Sequence, residues 1–220
     1  MDSNLNNTVD QRTSEAARYA LTRRLLPMLR HHMVVHLQPI GMIYEVLDRK
    51  LGVVAPDLVA VREGLAKINQ LARSAVTSSL DVVTWLAPDA SAVTNVGAGV
   101  HECLDLLHSN LAFRGFTVCN EVGDVPQQVL QSALREVLTA ALISLTDSAA
   151  GPVEVVLSGA VSSGQAVISI HTRPGQGTGF TTEMSYRAVA WSDVQALAYT
   201  HAVDLSVLGP AVQIRFALVV

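Results

Sequence analysis

From Ser14 to Leu51 the apolar positions recur at spacings of three and four. Leu26, Met33, Leu37, Ile40, Tyr44, Leu47 and Leu51 form a helical seam, with Arg30 in its one polar slot. A helix of this length spans roughly 55 Å at 1.5 Å per residue. Pro27 and Pro39 fall inside it and are expected to bend it or break a local hydrogen bond. Gly52–Pro56 reads as a turn, and Asp57 as the cap of a second helix that runs to Leu86. Val61, Leu65, Ile68, Leu71 or Ala72, Ala75 and Leu80 make the apolar face of that helix. Two long helices joined by a short turn form an antiparallel hairpin. A lone hairpin cannot bury both faces, so pairing with a second copy into a four-helix bundle is expected.

The pattern changes after a linker at Pro88–Asn95. A helix is expected over Val96–Phe113, then a strand over Thr117–Glu121. Pro126 is read as opening another helix that ends near Thr146. Strands follow at Val153–Ser158 and Ala166–His171, where positions alternate or run apolar. A glycine-rich loop at Pro174–Gly179, a helix at Trp191–His201 and a closing strand at Val212–Val219 complete the chain. The fold class is therefore α+β: a helical hairpin followed by an α/β sandwich with a mixed sheet.

Half of the 220 residues are hydrophobic and only 15% are charged, which excludes a disordered chain. The net charge of −4 comes with no basic stripe, so no nucleic-acid partner is expected. Cys103 and Cys119 are too few for a disulfide framework or a cysteine-rich zinc site. No apolar run is long enough to span a membrane, and the first dozen residues carry no apolar signal core. The expected setting is soluble and cytoplasmic.

Arg30, His31, His32, Met33, Val34, Val35, His36 and Leu37 place three histidines within two turns of the first helix. Imidazole is a nucleophile, a metal ligand and the side chain that titrates near neutral pH. His31 is displaced by about 200° from Met33, so it points away from the seam. His32 and His36 share a face at zinc-ligand spacing. Position 33 is Met33 where the peptidase motif needs glutamate, and no third ligand is evident, so no metal site is expected. Glu136 reads as a solvated helix charge. His101, His108, His171 and His201 carry no spacing signal, and Trp85 and Trp191 read as packing at element ends.

The order of elements resembles a bacterial sensor histidine kinase core. Such cores join a dimerising hairpin, which bears a phospho-accepting histidine, to a Bergerat-type ATPase domain. Their first-helix motif reads His, acidic, Leu, Arg, Thr or Asn, Pro, Leu. Aligned on it, His31 matches the acceptor and Met33 and Leu37 match apolar positions. His32 stands where the acid belongs, Val35 replaces the polar residue and His36 the proline. The resemblance covers residues 14–220. Residues 1–13 lie outside it and, being polar, are expected to be disordered; the resemblance implies a hairpin phosphotransfer-like domain over 14–87 and an ATPase-like domain over 88–220.

The family's nucleotide boxes are altered. Leu134, Val137, Leu138 and Leu142 fit its long-helix pattern, but the two asparagines that hold magnesium and phosphates align with Ala140 and Ser144. Alanine offers no oxygen to a hard cation. Gly175 and Gly177 follow the next strand, but Thr172 or Arg173 stands where the adenine-reading aspartate belongs. The loop opens no expected helix and reads as turn chemistry. This combination resembles histidine phosphotransferases that descend from sensor kinases and do not bind ATP. It implies His31 as phospho-acceptor, Arg30 and His32 as possible support, no cofactor, a homodimer, and a response-regulator receiver domain as partner. The rival readings are a non-catalytic scaffold that binds a receiver or a kinase, and an active ATP-dependent kinase.

Overall fold

The computed structural model describes residues 2–179, 187–208 and 211–219. Helix α1 covers Asp2–Leu51 and α2 covers Leu58–Leu86. Helix α1 begins at Asp2. Pro27 and Pro39 lie inside it, each costs the backbone hydrogen bond expected to be lost there, and the surrounding helix carries through both. The turn behaves as read. Asp57 caps α2, its Oδ1 accepting from the amides of Val59 (3.0 Å) and Ala60 (3.1 Å).

The rest of the chain runs β1 (Val93–Asn95), α3 (Val96–Phe113), β2 (Thr117–Glu121), β3 (Gln128–Leu130), α4 (Gln131–Ser148), β4 (Val153–Ser162), β5 (Gln165–Pro174), α5 (Trp191–Thr200), β6 (Asp204–Leu208) and β7 (Ala211–Ala217). The helix expected from Pro126 starts instead at Gln131. Residues 128–130 pair antiparallel with β1 in a two-stranded ribbon, which commits their backbone groups before the helix can begin. The main sheet has the order β2-β4-β5-β7-β6. β2 lies parallel to β4 and the other neighbours are antiparallel.

Alternation along the central strands sets the core. Leu157, Ile170 and Val212 stand in register on the inner face, as do Ile168 and Ile214. Against them α4 is buried on nearly every side, through Leu134, Val137, Leu138, Ala141, Leu142 and Ile143. α3 contributes Val100, Cys103, Leu107 and Leu111, and α5 adds Val194 and Leu197.

The chain divides into two units. One comprises residues 1–25 with 89–220, and the other is the hairpin segment Leu26–Pro88. In the first, the early part of α1 is tied to the α/β elements. Ser14 Oγ donates to the Ala196 carbonyl (3.2 Å) and accepts from Thr200 Oγ1 (2.7 Å). Ala17, Ala20, Leu21 and Leu25 are buried. In the second, Leu47 packs on Gly64, where a Cβ would meet Leu47 Cδ2 at 2.5 Å. Val61, Ala75, Ser78 and Val82 are the other buried positions of α2.

The expected seam is only partly a contact within the chain. Leu47 is buried and Met33 and Ile40 are half-buried, but Leu26, Leu37, Tyr44 and Leu51 are exposed. On α2, Leu65 and Leu80 are exposed as well. Two helices can bury one stripe each, and the stripe they bury is rotated from the most apolar one. Among the described residues no helix is long and apolar enough to cross a membrane.

Candidate functional site

His31 lies on the exposed surface of α1, with Arg30 exposed beside it. An exposed imidazole is what a bulky phosphoryl donor requires for in-line approach. His32 and His36 take another direction. They line a groove of about 390 Å³ between α1 and α2, which His31 does not line. His32 is exposed and His36 half-buried. The groove is fixed by Ser78, whose Oγ donates to the His32 carbonyl across the hairpin at 3.0 Å. Among the described residues no cluster of three or more His, Cys, Asp or Glu side chains is placed to hold a metal.

The positions aligned with the nucleotide boxes sit elsewhere, in the α/β unit. Ala140 and Ser144 are fully buried on α4. The same helix turns its threonine hydroxyls onto its own backbone: Thr146 Oγ1 donates to the Leu142 carbonyl (2.8 Å), and Thr139 Oγ1 to that of Arg135. Thr172 is an exposed residue near the end of β5.

The glycines after β5 have a packing role. Gly175 lies against Val153, where a Cβ would come within 2.9 Å of the Val153 Cα. A Cβ on Gly177 would collide with the Gly115 carbonyl, and one on Gly179 with the Arg114 carbonyl. Gly115 itself has φ +79°, so the turn after α3 uses a conformation that glycine adopts freely. The loop and the turn approach backbone to backbone, which only glycines permit.

Glu136 departs from the solvated helix charge expected of it. Its carboxylate accepts from Arg18 Nε (2.9 and 3.1 Å) and lies 2.9 Å from His201 Nε2, with only 13% of its side chain exposed. Burial pushes its carboxyl up. The hydrogen bonds from His201 and Arg18, with the charge of Arg18, outweigh that and hold it below the usual range. A second buried carboxylate, Asp147, takes Arg24 Nη2 (3.0 Å) and Arg114 Nη2 (2.9 Å) on the same oxygen. Glu136 and Asp147 are three helical turns apart on α4, and both hold arginines of the early part of α1. No spacing in the sequence announces either cluster, because their members lie more than 30 positions apart.

No family model and no curated protein sequence matches the chain. Solved structures do. The Acinetobacter baumannii histidine kinase AdeS is 17% identical, covering 82% of this chain and 97% of its own, with a TM-score of 0.44. A histidine kinase from Burkholderia phymatum is 14% identical, covering 89% and 97%, with a TM-score of 0.42. A bacterial phosphotransferase is 14% identical, covering 89% and 95%, with a TM-score of 0.39.

Proposed function

We propose that the chain is a histidine phosphotransfer protein of two-component signalling that works as a homodimer and without ATP. The observation that carries this reading is the exposed imidazole of His31 on the first helix of a long hairpin, flanked by the exposed guanidinium of Arg30. In the proposed step an imidazole nitrogen of His31 attacks the phosphorus of a receiver domain's aspartyl phosphate. The N–P bond forms as the acyl O–P bond breaks, and the aspartate leaves as carboxylate. Arg30 offsets part of the roughly −2 charge that arrives on the ring. The receiver supplies the magnesium, so the chain needs none of its own. The reverse sequence passes the group on.

Two observations favour transfer over ATP-driven phosphorylation. Ala140 has no oxygen to give a magnesium ion, and both Ala140 and Ser144 are enclosed by packing. Thr172, aligned with the adenine-reading acid, has only a neutral hydroxyl.

The test is incubation with a phosphorylated receiver domain, followed by assay for acid-labile phosphate on the chain. His31→Gln abolishes labelling and leaves folding and dimerisation intact. Normal transfer by His31→Gln, with loss in His32→Gln or His36→Gln, overturns the assignment of the acceptor. His32 in place of the usual acid favours the second reading, a scaffold that binds a receiver and carries no phosphate. Receiver binding with no labelling of any variant establishes it.

A further inference from the structure

The groove between α1 and α2 differs from the rest of the hairpin contact. Elsewhere the helices meet through Leu47 and Gly64 and bury Val61, Ala75 and Val82. Here every side chain facing the cavity is polar. The cavity is large enough to admit a small ligand, at about 390 Å³.

The polar groups are unequal along its length. Ser78 bonds the His32 carbonyl, which fixes the antiparallel register at that point. One turn further along α1, His36 therefore faces the stretch of α2 that holds Ser74, Arg73 and Gln70. Asp81, the one carboxylate of the groove, lies eight residues from Arg73, about 12 Å along the helix. The two cannot pair, and the groove has a donor-rich end and an acidic end. At the donor end Arg73 offers a full positive charge and a fork of N–H groups. Gln70 and Ser74 add neutral donors, and His36 adds a ring N–H. Among the described residues no hydrogen bond or ion pair engages the side chains of His36, Gln70, Arg73 or Ser74.

Donors from two helices that line one concave surface without a partner among the described residues, with the carboxylate held away, match an oxyanion. We infer that the Gln70–Arg73–Ser74–His36 end of this groove is a binding site for a phosphate-class oxyanion. Donors arriving from both walls suit a tetrahedral group better than a planar one. The two-histidine, one-carboxylate alternative of a metal is disfavoured by placement, since no such triad converges among the described residues. The inference is independent of whether His31 accepts a phosphoryl group, because His31 does not line the groove.

The oxyanion can be free phosphate or a phosphoryl group presented by a partner. The probe is inorganic phosphate, titrated into the full-length chain at constant ionic strength against chloride. The ring C–H resonances of the histidines are followed by NMR and assigned with His36→Gln and His31→Gln. His36 is expected to shift along a saturating curve with a Kd of about 1–10 mM, the range for one charged contact in an open groove. His31 stays in place. Arg73→Gln, at an exposed position, weakens binding by about tenfold or more, and Ser74→Ala by less. Chloride gives no saturable shift.

Absence of a saturable His36 shift over that range overturns the site, as does an undiminished shift in Arg73→Gln. Failure of His31 labelling by a receiver does not touch this result, so the two proposals fail separately. Competition then separates the sources. If phosphate displaces a beryllofluoride-treated receiver domain, the groove takes a partner's group. If both bind together, it takes free phosphate. Either outcome keeps the oxyanion site.

Discussion

His201 Nε2 lies 2.9 Å from Glu136 Oε2, joining the end of α5 to the second turn of α4 across 65 positions of sequence. Arg18 closes on the same carboxylate from α1. Because Glu136 titrates below its ordinary value of 4.5, its contribution to stability is fully present above that value and is lost as pH falls through the depressed one. Glu136→Gln is expected to lower stability at neutral pH by about 1–3 kcal/mol, since two donors lose a charged acceptor. The variant also flattens the acid limb of the stability curve below pH 4.5. Urea unfolding across the acid range checks both effects. An unchanged acid limb rules out Glu136 as a source of it.

Asp147 is the more enclosed of the two carboxylates, with 5% of its side chain exposed between Arg24 and Arg114. Arg114 also donates to the Thr146 carbonyl (3.0 Å) and sits 4.9 Å over the Phe116 ring. Asp147→Ala leaves two guanidinium groups facing each other without their shared counter-charge. The expected cost is about 3–5 kcal/mol, the range for breaking a buried pair from one side. Arg24→Met costs less, because Arg114 still neutralises the carboxylate. Equal midpoints for the two variants in chemical denaturation contradict this ranking.

The elements with strong periodicity were legible in the sequence. α3 spans Val96–Phe113 and β2 spans Thr117–Glu121, as their patterns imply. β1 and β3 have three residues each, too short for any period, and their pairing is a non-local fact. β6 is hidden for a related reason: Asp204–Leu208 is a five-residue edge strand, and the alternation of Leu205 and Val207 with polar neighbours runs over too few residues to mark it. On the candidate site, the turn of His31 away from Met33 follows from helix geometry alone. The groove at His32 and His36 does not, because it needs the register with Ser78. Glu136 looked like a surface charge because its neighbours on α4 give no hint of Arg18 or His201.

The exposed apolar positions of the hairpin predict its assembly. Leu37 and Tyr44 on α1 are 50% and 62% exposed, and Leu65 and Leu80 on α2 are 55% and 62% exposed. Such a face on a hairpin calls for a second copy. Light scattering is expected to report a dimer of the 23.4 kDa chain. Leu37→Glu with Leu80→Glu shifts it to monomer while the helical circular dichroism persists. A wild-type monomer at micromolar concentration removes the dimer from the proposed function.

Gly177 separates packing from ligand binding as the reason for the glycine-rich loop. Gly177→Ala drives a Cβ into the Gly115 carbonyl, and an overpacked contact of this kind costs about 1–3 kcal/mol. Gly151 has nothing within 4 Å of its would-be Cβ, so Gly151→Ala is the matched control and stays near wild type. Equal stability for the two variants means that the loop does not rely on its close approach to the turn after α3.

Nucleotide binding tests the burial of Ala140 and Ser144 directly. A phosphate-bound magnesium ion needs oxygen ligands, and α4 presents neither an asparagine nor an accessible hydroxyl at these positions. In the proposed alignment Thr172 or Arg173 stands at the adenine-reading position, and neither offers a carboxylate to an adenine amino group. Lost contacts of this sort cost about 1–3 kcal/mol each, which together move the Kd for ATP beyond about 1 mM. Calorimetry with magnesium and ATP or ADP is therefore expected to show no saturable heat at lower concentrations. Ser144→Asn alone restores nothing, because Ser144 is buried and a longer side chain at that position meets packed neighbours. A micromolar Kd for either nucleotide overturns ATP-independent transfer and returns the chain to the ATP-dependent kinase reading, with His31 then labelled from ATP.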